Sequence, residues 1–326
     1  MSDNYSKLKV VLTGTTGNLG SSVLKHLLKL EHVPKSSIMI SLYNPSKKPE
    51  GVEEGLEIRE GNYEDPESLD KAYNGADILF LMSYPSLRYQ IRIDAHRNAI
   101  EAAKRSSIKH IIYTSLAFAG SPTSSESVAA VMQAHLYTEA YLKSNLPPSI
   151  TYTSIREGLY TESFPLYFGI YDISSKPSEV SIPPGDNDKL IAFTKRDELG
   201  EATAKIIQSF IDGIEGNEFV NRTVLLSAEP KYSLRSLGEL IGKILDTPPV
   251  TIKYIPPEEY AASEAKASIY IGTPEMAKAW TTTYPAIGKG EASFTGEGSL
   301  ELERIIGRKP EAVEITLARI LKNIRF

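Results

Sequence analysis

Three glycines spaced three residues apart constrain this chain more than any other feature. Thr13-Gly14-Thr15-Thr16-Gly17-Asn18-Leu19-Gly20 follows the apolar run Leu8-Lys9-Val10-Val11-Leu12. It opens a pattern over 18–30 that puts Leu19, Val23, Leu27 and Leu30 on one helical face. That order predicts a buried strand, a tight turn and a helix. Gly14 permits the turn, Gly17 lets the backbone approach a bound group, and Gly20 lets the helix pack close to the strand. The free N–H groups at such a helix start favour a phosphate.

The rest of the first half repeats the alternation. Strand patterns at 37–42, 56–59, 76–82, 109–115 and 151–155 are separated by helical ones, including 92–107 and 128–143. Asp65-Pro66 marks a further helix start, with Asp as the cap and Pro at the first helical position. Strands joined through helices predict an α/β fold, a doubly wound parallel sheet of the Rossmann type. The glycine turn at its first strand–helix junction then reads as a dinucleotide site, with Gly14, Thr15, Thr16, Gly17, Asn18, Leu19 and Gly20 as cofactor-binding residues.

Past Gly158 the pattern loosens. Residues 159–190 are rich in Tyr, Pro and Ser and read as a lid or an irregular connection. Asp197 is the expected N-cap of a helix to Phe210, and Ser233 that of a helix to Leu245. Short strands are expected at 224–226 and 250–255, and a short helix at 257–267. The chain is then polar until 300–306, with a last helix from Glu311. Gly288-Lys289-Gly290 and Gly296-Glu297-Gly298 read as loop, and Trp280 and Tyr284 as core. The expected division is a dinucleotide-binding domain at 1–158, with 191–228 returning to it, and a smaller C-terminal substrate-binding or lid domain at 159–326.

A chain of 326 residues can bury a full core without staples. It has no cysteine, which excludes disulfides and thiolate chemistry, and no metal site is expected. The start of the chain lacks an apolar signal segment, and the strongest apolar run, 78–82, is far too short to span a bilayer. A cytoplasmic protein with no membrane partner is expected. The net charge of −5 carries no basic stripe, so no nucleic-acid partner is expected. The partner is a small-molecule substrate, and the oligomeric state is open.

Further motifs sit at the later strand ends: Tyr113-Thr114-Ser115, His135-x-x-Thr138-Glu139, Arg156-Glu157-Gly158-Leu159-Tyr160 and His96-Arg97-Asn98. With the Gly-x-x-Gly-x-x-Gly turn, these resemble the NmrA-like atypical short-chain dehydrogenases, closest to their NADPH-dependent quinone reductase branch. The likeness covers roughly residues 8–255. It implies an NADP-binding domain and a C-terminal domain closing over the nicotinamide.

The end of the second strand bears on cofactor choice. Dinucleotide sites for NAD usually place an acid there for the ribose hydroxyls. This chain reads Leu42-Tyr43-Asn44-Pro45-Ser46-Lys47-Lys48, with no acid to repel a 2′-phosphate. NADP is therefore expected ahead of NAD. Lys47 pairs with the phosphate in this reading, Asn44 flanks it, and Tyr43 stacks on adenine; the alternative is a solvated lysine pair. Asn62 and Tyr63 are expected near adenine, Met82 and Ser83 beside the ribose and pyrophosphate, and Thr114 and Ser115 near the nicotinamide ribose. The resembled family often has Arg where Tyr43 stands and Asp where Asn62 stands.

The Tyr-x-x-x-Lys proton relay of ordinary short-chain dehydrogenases is missing from the expected helix. Tyr5/Lys9 and Tyr43/Lys47 have the spacing in the wrong place. His135 stands near the Tyr position and Glu139 near the Lys position. His135 is the catalytic proton donor if the protein supplies one, and a hydrogen-bonded structural histidine otherwise. Glu139 reads equally as a helix-surface charge. Phe118 and Tyr160 are candidates for the substrate pocket, or else core or lid packing. The expected activity is NADPH-dependent hydride transfer to a small conjugated carbonyl or quinone, which needs little protein acid catalysis. The alternative is a non-catalytic NADP-binding redox sensor of the NmrA type; a dedicated reductase of a secondary metabolic pathway is a third reading.

Overall fold

The computed structural model describes residues 7–49, 55–186, 188–267, 272–294 and 297–322. In chain order the elements of the first half are β1 (Val10–Thr13), α1 (Asn18–Leu27), β2 (Ile38–Leu42), β3 (Glu57–Glu60), α2 (Pro66–Tyr73), β4 (Ile78–Leu81), α3 (Tyr89–Arg105), β5 (His110–Leu116), α4 (Ala130–Asn145) and β6 (Thr151–Glu157). There follow β7 (Leu159–Tyr160), α5 (Phe164–Tyr167), β8 (Glu179–Ile182), β9 (Phe193–Thr194), α6 (Arg196–Asp212), β10 (Arg222–Leu226), α7 (Leu234–Leu245), β11 (Thr251–Tyr254) and α8 (Pro257–Ala267). The chain closes on α9 (Pro274–Thr281), α10 (Thr283–Gly288), α11 (Glu297–Ile306) and α12 (Val313–Leu321).

Among the described residues the main sheet has seven strands in the order β10-β6-β5-β4-β1-β2-β3. Val10 is in register with Ile38 on one side and Ile78 on the other, and all the pairings from β5 through β3 are parallel. β1, β2 and β4 are buried along their whole length, which is why they read as continuous apolar runs rather than alternating ones. The strand order reverses at β1, where a doubly wound sheet opens a crevice at its carboxyl edge.

The residues group into two compact units of similar length. The first holds the described residues of Met1–Ser115, Tyr137–Arg156 and Asp197–Val224; the second holds those of Leu116–Leu136, Glu157–Arg196 and Leu225–Phe326. The second therefore takes in Leu116–Leu136, which the expected boundary at 158 assigned to the first domain. One core of the first unit joins Val11, Leu79 and Ile111 to Ala99 and Ala103 of α3 and Leu142 of α4. The core of the second gathers Phe118, Phe164, Phe168, Trp280 and Tyr284. It also contains two small parallel pairs, β11-β8 and β7-β9.

Several local expectations change. Asp197 is not the cap of α6, which begins one residue earlier. Its first N–H, at Arg196, is met by the Glu162 carboxylate at 3.1 Å, a partner remote in sequence. Asp197 instead pairs with His26 at 3.1 Å, and that hydrogen bond holds its carboxyl well below the usual range. The aromatic stretch at 159–190 is core rather than loose connection: Phe164 and Phe168 are fully buried and Tyr167 lies 5.4 Å from Trp280. The polar region before 300 holds α9 and α10. Gly288 ends α10, Glu297 and Gly298 belong to α11, and Gly296 lies outside the described residues. Asp65 and Ser233 cap as expected.

Candidate functional site

The glycine turn closes at the carboxyl end of β1. Gly14 has φ +66°, and a Cβ there would meet Met82 at 2.5 Å. A Cβ on Gly20 would lie 2.2 Å from the Gly14 carbonyl oxygen, so the helix approaches its own turn as closely as glycine allows. Gly17 is different. Its φ is −83°, which any residue adopts, but a Cβ would lie 3.3 Å from the Gly14 carbonyl oxygen, a tight contact, so the missing side chain keeps the turn compact and its outer face bare. Gly17 heads α1 with no side-chain cap, and the first turn carries no acid. The leading N–H groups of the helix are thus presented for an anion. Thr16, Gly17 and Asn18 are exposed, whereas Thr15 and Leu19 are buried beneath them.

Beside this turn lies a cavity of about 360 Å³ within the first unit. It runs across the carboxyl ends of β1, β2, β3 and β4, lined by Thr13, Gly14 and Thr16, then Ser41 to Tyr43, Gly61 to Glu64, and Leu69, Tyr84 and Pro85. Three tyrosines shape it. Tyr43 is exposed; Tyr63 and Tyr84 meet edge to face at 5.8 Å. The Tyr63 hydroxyl reaches Thr13 Oγ1 at 2.7 Å and the Met82 carbonyl at 2.9 Å, and burial pushes its pKa up. The Ser41 hydroxyl is buried in the wall and makes no hydrogen bond with the described residues. An apolar slot with an unused hydroxyl and an adjoining helix start fits the adenosine and phosphates of a dinucleotide.

The loop after β4 is held from below. His96 Nε2 accepts the Tyr84 N–H at 2.9 Å, which places the ring proton on Nδ1, 2.8 Å from Thr138 Oγ1. Burial, then the nearby Arg92, brings the His96 pKa down to about 3, so it stays neutral. Arg92 donates to Ser83 Oγ at 2.7 Å, and Asn98 to the Tyr63 carbonyl at 2.9 Å. The His96-Arg97-Asn98 motif thus anchors two walls of the cavity.

Of the expected cofactor residues, Tyr43, Asn62 and Tyr63 line the cavity with Gly14 and Thr16. Asn44 and Lys47 form an exposed turn at its edge: Lys47 N–H donates to the Asn44 carbonyl at 3.0 Å. Met82, Ser83 and Thr114 interlock, since Thr114 Oγ1 accepts the Ser83 N–H at 2.9 Å and donates to the Met82 sulfur at 3.3 Å. Ser115 donates to Glu139 Oε1 at 2.6 Å. Glu139 is not a surface charge: Arg156, with 2% of its side chain exposed, grips it through Nε at 3.0 Å and through a second nitrogen at 2.7 Å. In the second unit, His135 is 5% exposed, Phe118 is fully buried against the ring of Tyr167, and Tyr160 is half-buried with its pKa pushed up by burial. Sequence reasoning missed Ser41, Gly61, Glu64, Tyr84 and Pro85. Their signal is positional, since each stands at or just past the end of a buried or parallel strand.

The match to known families decides the lineage. Residues 6–279 match the NmrA-like family. The chain belongs to the NmrA-like family. The match runs beyond the 8–255 expected from the motifs and reaches into α9. An NmrA-like family domain-containing oxidoreductase, flvB of Aspergillus flavus, is 32% identical over 78% of this chain and 76% of its own length. The triphenylmethane reductase of Citrobacter sp., solved with NADP(H), is 28% identical with a TM-score of 0.76 over 97% of this chain and 99% of that one. The NADPH-dependent quinone oxidoreductase of Escherichia coli, solved with NADPH, is 25% identical with a TM-score of 0.76 over 95% and 99%. Among the described residues no helix is long and apolar enough to cross a membrane.

Proposed function

We propose that this protein is an NADPH-dependent oxidoreductase that reduces a small conjugated carbonyl or quinone. The observation that carries the reading is the cavity across the carboxyl ends of β1 to β4, continuous with an uncapped glycine-headed helix. The named relatives that act with NADP(H) support it. Gly14, Gly17 and the start of α1 hold the pyrophosphate, and Tyr43, Asn62, Tyr63 and Tyr84 enclose the adenosine. Lys47 meets the 2′-phosphate from the exposed turn after β2. The cofactor, when bound, supplies the hydride; the chain supplies orientation.

The position of the usual relay lysine is filled by Glu139, which is committed to Arg156 and Ser115. A carboxylate held this way does not lower the pKa of a neighbouring acid, so the acceptors that suit this site are those needing little protonation by the protein. His135 is the donor for acceptors that do need one. Anaerobic mixing with NADPH and a panel of quinones and enals, followed by nicotinamide absorbance, tests the reading. Turnover is expected with at least one quinone. His135→Ala should slow enals by about 10²-fold and quinones much less. Tight NADPH binding with no consumption by any acceptor would overturn the enzyme in favour of a cofactor-sensing regulator.

A further inference from the structure

We infer that Glu64 reads the 6-amino group of the cofactor's adenine and so makes the site selective for that base. The inference rests on the proposal that the adenosine half occupies the cavity of the first unit. Glu64 is the one carboxylate among the described residues lining that cavity. Its Oε1 accepts the Tyr84 hydroxyl at 2.9 Å, which fixes the carboxylate and leaves Oε2 as an acceptor.

The other polar groups of the lining are already committed or neutral. Asn62 spends its side-chain carbonyl on the Glu64 N–H at 2.9 Å. Thr13 Oγ1 donates to the Phe80 carbonyl at 2.9 Å and accepts the Met82 N–H at 2.8 Å. Ser41 offers a hydroxyl, which both donates and accepts and therefore cannot tell an amino group from a carbonyl. An ionised carboxylate only accepts. It gains a charge-assisted hydrogen bond from a base with N–H at position 6 that a base with a carbonyl oxygen there does not offer.

Glu64 is also held in place. The Asp65 N–H donates to the Asn62 carbonyl at 2.9 Å, and the Asp65 side chain caps α2, so Glu64 sits between a closed turn and a fixed helix start. Its partner Tyr84 is tied to His96. The backbone that carries the acceptor and the backbone that carries the orienting phenol are both anchored before a base arrives, which lowers the ordering cost of the contact.

The test is the dissociation constant of NADPH and of its hypoxanthine analogue, deamino-NADPH, for wild type, Glu64→Gln and Glu64→Ala. Wild type should prefer NADPH by about tenfold or more, the size of a charge-assisted hydrogen bond. In Glu64→Gln the amide can turn its N–H toward the carbonyl, so the two ligands should bind within about threefold of each other. Glu64→Ala should weaken NADPH by about tenfold and leave deamino-NADPH nearly unchanged. Equal binding of both by wild type, or a preference that survives both substitutions, overturns the assignment while leaving the cofactor site intact. Failure of wild type to bind NADPH at all overturns the cofactor reading and this inference with it.

Discussion

Glu139 follows His135 by four residues, and in sequence it looks like any charge on a helix. The structure gives it a bidentate buried partner, Arg156, and a serine donor. Nothing in the spacing of 139 and 156 announces that contact, because it arises from α4 packing on β6. Removing the carboxylate leaves the Arg156 guanidinium in a site where only 2% of its side chain is exposed. Glu139→Ala should therefore cost about 3–5 kcal/mol in urea denaturation, the usual penalty for breaking one side of a buried ion pair. A loss below about 1 kcal/mol would show that Arg156 is satisfied without it. The glycines were legible at this scale for the opposite reason. Gly14 answers to its own positive φ and Gly20 to the Gly14 carbonyl nearby in sequence, so their spacing reveals the need, although the Met82 side chain against Gly14 is remote.

The elements themselves divide along similar lines. β1, β2, β4 and β5 were visible as apolar runs, since strands covered on both faces carry no alternation to misread. α9 and α10 were not. They are short, broken at Thr282, and interrupted by Pro285, although Thr273 caps Met276 and Pro274 sits in the first turn. Ala277, Trp280, Tyr284 and Ile287 do recur at helical spacing, and all are buried. α3 and β5 each bury a histidine. His110 stacks on Phe210 at 3.8 Å and touches Thr151 and Thr153, and burial brings its pKa down to about 3, as for His96. An unfolded histidine takes a proton below about pH 6.5, whereas these two do not until far lower. Their contribution is thus complete above pH 6.5 and is lost as pH falls from there toward 3. Each should steepen the fall by about 1.4 kcal/mol per pH unit. Urea midpoints between pH 7.5 and 5 should show this slope, and His110→Phe should lower it by half. A flat profile across that range would mean that the folded protein protonates them.

At the scale of the whole molecule, cofactor binding should appear as stability. A ligand held only by the folded state at one hundred times its dissociation constant adds about 2.7 kcal/mol. NADPH should raise the melting temperature of wild type and leave that of Gly17→Asp unchanged. Gly17 has an ordinary negative φ, and a Cβ there meets only the Gly14 carbonyl oxygen, at 3.3 Å, so a circular-dichroism check of folding accompanies this variant, whose carboxylate stands in the phosphate path. An equal rise in both proteins would remove the glycine turn from the site. The sequence by itself determined the sheet, the turn at its first crossover and the NmrA-like kinship, because these depend on hydrophobic period and local backbone freedom. Tertiary structure decided what lies around them. It alone grouped Leu116–Leu136 with the second unit, set Glu64 against Tyr84, and hung the cavity walls from His96 and Asn98. Those hydrogen bonds join residues 12 to 35 positions apart, and their energy depends on distance and burial that appear only when the chain is packed.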